Sequence, residues 1–272
     1  MKATLHCGKN GSADHNDRNF DYINSGDGHI DPERVKDNIY ISYKNILPFK
    51  KAEEQFYKDQ YSDWIKEQNT KNKQSKHTQR KKTIKSLLNG SYTKPDEIIL
   101  QIGNRKEHPD ASVFSDCVMD FVKAMAPYGE NFHIIDIAVH KDEETPHAHI
   151  RGVWDYIDEN GNRHISQNKG LEELGIPLPY PDQDTGLYNN RKMTFHAEIR
   201  ETWYKICEEH GIQIDRAPIK DNQIHMTKSQ LIISDLTKEN QKLREENIQL
   251  SKRIQNLELE LKHTKEKQEI GR

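Results

Sequence analysis

Cysteine is nearly missing from this chain. Its 272 residues include only Cys7, Cys117 and Cys207. They form no CxxC spacing, which argues against a disulfide framework or a cysteine-built zinc site and makes a reducing, cytoplasmic setting the expectation. Long apolar runs are missing too. Nothing approaches the about 18 consecutive apolar residues of a membrane helix, and Met1-Lys2-Ala3-Thr4-Leu5-His6 leads into no hydrophobic stretch of the secretory kind. Hydrophobic residues reach 33% against 31% charged, and mean hydropathy is −1.03. One moderate core is within reach, and much of the chain must lie in solvated helices or tails. Nor is there a surplus of positive charge. The 41 Lys+Arg against 44 Asp+Glu give −3, which excludes a uniformly basic nucleic-acid coat and leaves a local one open.

Charge is in fact segregated. Lys66, Lys71, Lys73, Lys76, Arg80, Lys81, Lys82 and Lys85 face a single acid, Glu67, with Gln, Asn, Ser and Thr between them. This basic arm or helix is a candidate phosphate-binding segment, with Arg80, Lys81, Lys82 and Lys85 as DNA contacts.

Periodicity places the elements. Ala3 to Cys7 reads as a first strand, followed by a Gly/Asn/Asp-rich segment through Gly28. Asp31-Pro32-Glu33 reads as an N-cap and helix start running toward Tyr43, and residues 50–88 read as helical. Ile98 to Ile102 is a buried strand. Phe114, Cys117, Val118, Phe121, Val122 and Met125 form the stripe of an amphipathic helix. Phe132 to Val139 and His147 to Trp154 are further strands, Asn160-Gly161 is a hairpin turn leading to a short strand near Ile165, and 177–190 is a loop. Phe195, Ile199, Trp203 and Ile206 mark a last helix, stopped at Gly211. The order predicts an α+β domain, with a mainly antiparallel sheet and helices on one face.

The most informative stretch is His140-Lys141-Asp142-Glu143-Glu144-Thr145-Pro146-His147-Ala148-His149. Side chains alternate along a strand, so His147, His149 and Arg151 share one face, and Ala148, Ile150, Gly152 and Trp154 the other. Six residues separate His140 from His147, and a hairpin of that length sets His140 beside the pair. Three imidazoles on one patch make a facial metal site with open positions for water or phosphate oxygens. Glu143, and with less support Asp142, is a further ligand or the carboxylate that orients an imidazole. The spacing is not HExxH, which argues against a zincin protease.

His140-x-Asp142-Glu143-x-Thr145-Pro146-His147-x-His149 resembles the metal motif of the Mob/Pre proteins, the MobV-type plasmid relaxases of the HUH single-strand endonuclease superfamily. Their name comes from a His-hydrophobe-His strand, here with Ala148 as the hydrophobe. His15-Asn16-Asp17-Arg18 is similar to the family's N-terminal HNxR motif. Residues 31–38, 158–166 and the helix ending in Glu208-Glu209-His210-Gly211 also look family-like, so the resemblance spans about residues 1–216. It implies an HUH relaxase-like fold and a Mn2+ or Mg2+ cofactor. The activity implied is nicking of one strand at a plasmid transfer origin, covalent attachment to the 5′ phosphate and later rejoining. It further implies His15 as nucleophile and Arg18 on a phosphate oxygen, with Glu143 in the catalytic set and Arg151 among the DNA contacts. A rolling-circle replication initiator with the same chemistry, and a nonenzymatic dimeric metal-containing DNA-binding protein, are the alternatives.

From residue 233 a heptad appears, with Leu236, Leu243, Leu250 and Leu257 at d and Ile233, Asn240, Asn247, Ile254 and Leu261 at a. Leu at d with Asn at a predicts a parallel two-stranded coiled coil, supported by Glu239 facing Arg244 and Arg253 facing Glu258. The expected organisation is a relaxase domain over 1–216, a linker over 217–230 and a coiled-coil dimerisation segment over 231–272. Plasmid DNA, a second copy of the chain and a conjugative coupling protein are the expected partners.

Overall fold

The computed structural model describes residues 1–22, 30–217, 237–238, 240–254 and 257. The chain falls into two compact units, Met1–Arg216 and Ala217–Arg272. In the second, the described residues from 237 onward are helical and exposed, including Leu243, Leu250, Ile254 and Leu257. The segment expected as a linker, and Ile233, Leu236, Glu239, Glu258 and Leu261 of the heptad, lie outside the described residues.

The first unit is built on a sheet of β1 (Ala3–Gly8), β2 (Ile39–Ser42), β3 (Asp96–Ile102), β4 (Phe132–His140), β5 (His147–Ile157) and β6 (Arg163–Ile165). The strand order is β1-β3-β5-β4-β2, with β6 paired to the far end of β5, and every one of these pairings is antiparallel. The helices are α1 (Ala13–Asn16), α2 (Phe49–Gln74), α3 (Ile84–Leu88), α4 (Ala111–Ala124), α5 (Gln167–Glu173) and α6 (Arg191–Glu209).

Two cores sandwich the sheet. Leu5, Ile98, Leu100, Val139, Ala148, Ile150 and Trp154 meet the apolar stripes of α4 and α6, where Phe121 and Trp203 pack edge to face. On the opposite face Ile135 and Val153 pack against Phe56, Tyr57 and Tyr61 of α2. Helices therefore cover both faces, which corrects the one-face expectation. The site face is apolar at one end, and α2 closes that end.

Two further expectations change. The Asp31-Pro32-Glu33 start yields a single 3-10 turn, Val35–Asp37, and the chain then enters β2, whose Ile39–Ser42 pair with Val139–Asp136. Ladder bonds to an open sheet edge outweigh a local capping signal, and Tyr40 sits on a strand. The basic segment is not one helix either. α2 ends at Gln74, Lys76 takes a left-handed conformation (φ 58°), and the chain folds back. Asn69 exchanges hydrogen bonds with the Lys82 backbone at 2.7 and 2.8 Å, and Asn72 donates to the Arg80 carbonyl at 3.0 Å.

Candidate metal centre and catalytic site

β5 alternates as its sequence demands. Ala148 and Ile150 face α4 and α6, while His149 and Arg151 face the other side. β4 reaches the same result by an irregular route. Phe132 and Ile134 pack with the α4–α6 core, but the register shifts between Ile134 and Asp136 and leaves Ile135 as a bulge. Beyond it Ile137 and Val139 face that core and Ala138 and His140 face away. If all nine residues alternated strictly from Phe132, with no bulge, His140 would turn into the core. With it, His140 pairs directly across from His147.

One nitrogen from each of His140, His147 and His149 lies within 4.8 Å of the other two. The outward nitrogens are tethered. His140 Nε2 is 2.7 Å from the Asn16 carbonyl, His147 Nδ1 is 3.2 Å from the Thr145 carbonyl, and His149 Nδ1 is 3.2 Å from Glu97 Oε1. Each partner can only accept from a ring N–H, so we assign the proton to the tethered nitrogen and a lone pair to the inward one. Two of these lone pairs, on His140 Nδ1 and His147 Nε2, lie 3.1 Å apart. The third, on His149 Nε2, is buried without a hydrogen-bond partner. Burial, with the neighbouring His147, Arg18 and His149 adding to it, pushes His140 far below the usual imidazole range. Burial likewise holds His147 down at about 4 against the opposing charge of Glu143. Neutral imidazoles with convergent lone pairs, one of them orphaned, fit a divalent cation. Bonds of about 2.1 Å meeting at right angles would set two nitrogens about 3 Å apart.

The carboxylates stand beside this triad. Glu143 Oε1 is 3.7 Å from His147 Nε2, and Asp142 and Glu143 are both buried. Arg18 holds them together, with Nε and Nη2 on Asp142 at 2.8 Å each and Nη2 on Glu143 at 2.9 Å. Arg18 adopts φ 58° to do so, a conformation costing about 1 kcal/mol that its ion pairs offset. Arg18, expected on a phosphate oxygen, is 6% exposed as a residue and its guanidinium is engaged with two carboxylates. Asn38 donates to Asp142 at 2.8 Å and accepts from the Lys141 N–H at 2.7 Å, fixing the start of the same loop.

His15 lies on the one-turn helix α1, capped by Ser12, not in an open loop. Its ring centroid is 6.2 Å from that of His140 and 6.1 Å from that of His149, and it stacks on Phe20 at 5.5 Å. Tyr22 contacts Phe20, and the Tyr40 hydroxyl accepts from Asn38 at 3.0 Å.

Arg80, Lys81, Lys82 and Lys85 are exposed. Arg151, expected as a DNA contact, is 5% exposed, with Nε on Glu53 at 2.7 Å. Three residues that matter to the centre draw no role from the sequence. Glu97 accepts from Asn16 at 2.8 Å as well as facing His149. Asn16, inside the HNxR string, binds both Glu97 and His140. At Gly11 a Cβ would collide with the Glu97 carboxylate. Glu97 gives one faint signal, as an acid directly before the apolar run Ile98 to Ile102.

No protein-family model matches the chain, and no curated protein matches it. Among solved structures it is similar to the MobM relaxase domain (MOBV; Mob_Pre) bound to oriT DNA of plasmid pMV158, in a manganese-bound crystal structure at pH 6.8. The identity is 18%, the TM-score 0.49, and the match covers 86% of this chain and 99% of that one. The same domain with a 22-nucleotide oriT DNA at pH 5.5 gives 18% identity and a TM-score of 0.48, over 86% and 100% of the two chains. At pH 4.6 the values are 17% and 0.47, over 85% and 98%.

Proposed function

We propose that this protein is a plasmid-mobilisation relaxase of the Mob/Pre (MobV) type, a metal-dependent, strand-specific DNA nickase and strand transferase. The observation that carries the reading is the His140–His147–His149 triad, two of its rings buried and His147 half-buried, its lone pairs converging, with the His15 ring about 6 Å from two of its members. A divalent ion held by the three histidines, manganese or magnesium, would polarise the scissile phosphate and stabilise charge on the pentacoordinate phosphorus.

The chain's own residues supply the rest. His15 is the nucleophile: neutral imidazole is competent near pH 7, whereas a tyrosine of pKa about 10 needs activation. Its nitrogen forms a bond to phosphorus as the bond from phosphorus to the 3′ oxygen breaks. That oxygen leaves and takes up a proton, and the 5′ phosphate stays on the protein as a phosphoramidate. Reversal by a free 3′ hydroxyl rejoins the strand. Glu143 borders the reacting centre, Arg18 holds Glu143 and Asp142 in place, and Glu97 fixes His149.

Residues 231–272 would pair as a parallel coiled coil, presenting two nickase units. The leucines exposed on the described helix, Leu243, Leu250 and Leu257, support that pairing. Plasmid DNA is the substrate and a conjugative coupling protein the partner in transfer. No described helix is long and apolar enough to cross a membrane, and the cytoplasm is the proposed location.

The test is metal-dependent nicking of supercoiled plasmid carrying a cognate origin, followed by analysis of the adduct. His15→Ala should remove nick and adduct together while manganese binding persists, and the wild-type adduct should be lost in acid. An acid-stable adduct on Tyr22 or Tyr40 would overturn His15 as nucleophile, and no nicking with any divalent ion would overturn the relaxase reading.

A further inference from the structure

Behind the triad the sheet buries three acids around one guanidinium. Glu53 of α2, Glu97 of β3 and Asp136 of β4 are 6%, 5% and 1% exposed, with Arg151 of β5 set among them. Arg151 places Nε on Glu53 at 2.7 Å, and its Nη1, buried without a hydrogen-bond partner, stands 4.0 Å from Glu97. Glu97 in turn faces His149 Nδ1 at 3.2 Å and accepts from Asn16 at 2.8 Å. Asp136 lies across the ladder from Arg151, yet no donor reaches either of its oxygens. Ser42, opposite it on β2, gives its hydroxyl to the Ile46 carbonyl, and Tyr57, one turn after Glu53, gives its own to the Thr93 carbonyl. The next acid on this face, Asp155, engages Tyr61, His133 and Arg163.

The side chain that does meet Asp136 is another carboxylate, Glu53. Two ionised carboxylates repel and neither can donate, so a buried pair in contact must share a proton. Burial, and after it the charge of Glu53, push Asp136 well above the usual carboxylate range, against the pull of Arg151. Glu53 already accepts from Arg151, which places the proton on Asp136. Two carboxylates then remain about the one guanidinium. We propose that Asp136 stands in the fold as the neutral acid, donates to Glu53 and leaves the free side of Arg151 to Glu97, which makes Asp136 a positioning residue for His149. The link to His149 rests on the metal reading of the triad, whereas the shared proton does not.

The test compares the metal-free full chain with Asp136→Asn, which keeps an N–H for Glu53 and removes the titration. Infrared difference spectra at neutral pH should show the carbonyl stretch of a buried carboxylic acid in wild type and lose it in the variant. A folded Asp136 that titrates above its unfolded value of about 3.9 contributes stability that is complete below about 3.9 and is lost as pH rises through the folded value. The melting temperature of Asp136→Asn should therefore climb relative to wild type as pH rises above about 4. A gap that stays flat or shrinks, or a wild-type spectrum without the band, overturns the shared proton. Manganese calorimetry tests the positioning. Asp136→Ala should weaken binding by about tenfold, and Asp136→Asn should restore it. Wild-type affinity in Asp136→Ala, or equal losses in both variants, overturns the link to His149. A wild type that bound no manganese would overturn the metal reading, and the infrared and melting results would still decide the proton.

Discussion

His140 Nε2 lies 2.7 Å from the Asn16 carbonyl, so the strand that carries His140 is tied directly to the helix that carries His15. The same asparagine donates to Glu97, which faces His149. His15 and the triad thus lie at two ends of one hydrogen-bonded strut.

Removing a member of the triad should remove the metal. His140→Ala, His147→Ala and His149→Ala should each lose manganese binding by calorimetry and all nicking, yet keep affinity for duplex DNA, because the basic side chains lie elsewhere. Full cleavage by His147→Ala with chelator present would refute the triad as a metal site.

Glu97 should matter without touching the metal. Glu97→Gln weakens the acceptor that orients His149 and should lower manganese affinity by about 10–100-fold. Gly11→Ala pushes a methyl group into the same carboxylate and should act in the same direction. Calorimetry that returned wild-type affinity for both would assign Glu97 to packing.

Arg18 separates a positioning role from phosphate contact. Arg18→Met leaves two buried carboxylates facing one another and should destabilise the fold by about 3–5 kcal/mol in urea titration. Unchanged stability together with weakened DNA affinity would return Arg18 to the phosphate role.

Acid should reveal how deeply the triad is buried. His147 titrates at about 4 in the fold against about 6.5 in an unfolded chain, so below 6.5 the unfolded state binds more protons. The stability this ring contributes is complete above about 6.5 and is lost as pH falls toward 4. The melting temperature of metal-free protein should drop across that window, and NMR titration should put the His147 midpoint near about 4. A midpoint near 6.5 would mean a solvated ring.

The tail should set the oligomeric state without affecting the chemistry. Full-length chain should sediment as a dimer at about 50 µM, where a zipper of about 8 kcal/mol is paired. Truncation after Asp221 should leave a monomer that still nicks. A monomeric full-length chain at that concentration would rule out the pairing.

What is legible in the sequence is local. Alternation along His147 to Trp154, the 3.6-residue stripes of α4 and α6, and the hairpin that sets His140 beside His147 all follow from spacing within one or two elements. What stays hidden is carried by distant partners. Asn16 meets His140 across 124 positions, and Glu97 meets His149 across 52, and no periodicity encodes such pairs. Arg18 and Arg151 read as cations for DNA because an arginine's burial is a tertiary fact. The stretch before β2 reads as a helix because an Asp-Pro-Glu signal is strong locally, while the β4 edge that claims Ile39–Ser42 lies about a hundred residues away.

The bulge at Ile135 has a consequence for how this strand can vary. β4 carries two frames of burial in one ladder: residues before the bulge and residues after it obey opposite parities. Deleting Ile135 would restore simple alternation and leave Val139 on the core face and His140 on the polar one. Flattening the bulge with Ile135 retained would instead rotate everything downstream, sending Val139 toward the polar centre and His140 among the side chains of α4 and α6. A residue added between the bulge and His140 would do the same, while in the loop of 177–190 a change of length shifts no frame at all. The single irregular residue acts as the phase reference by which a hydrophobic strand delivers a histidine to the surface that needs it.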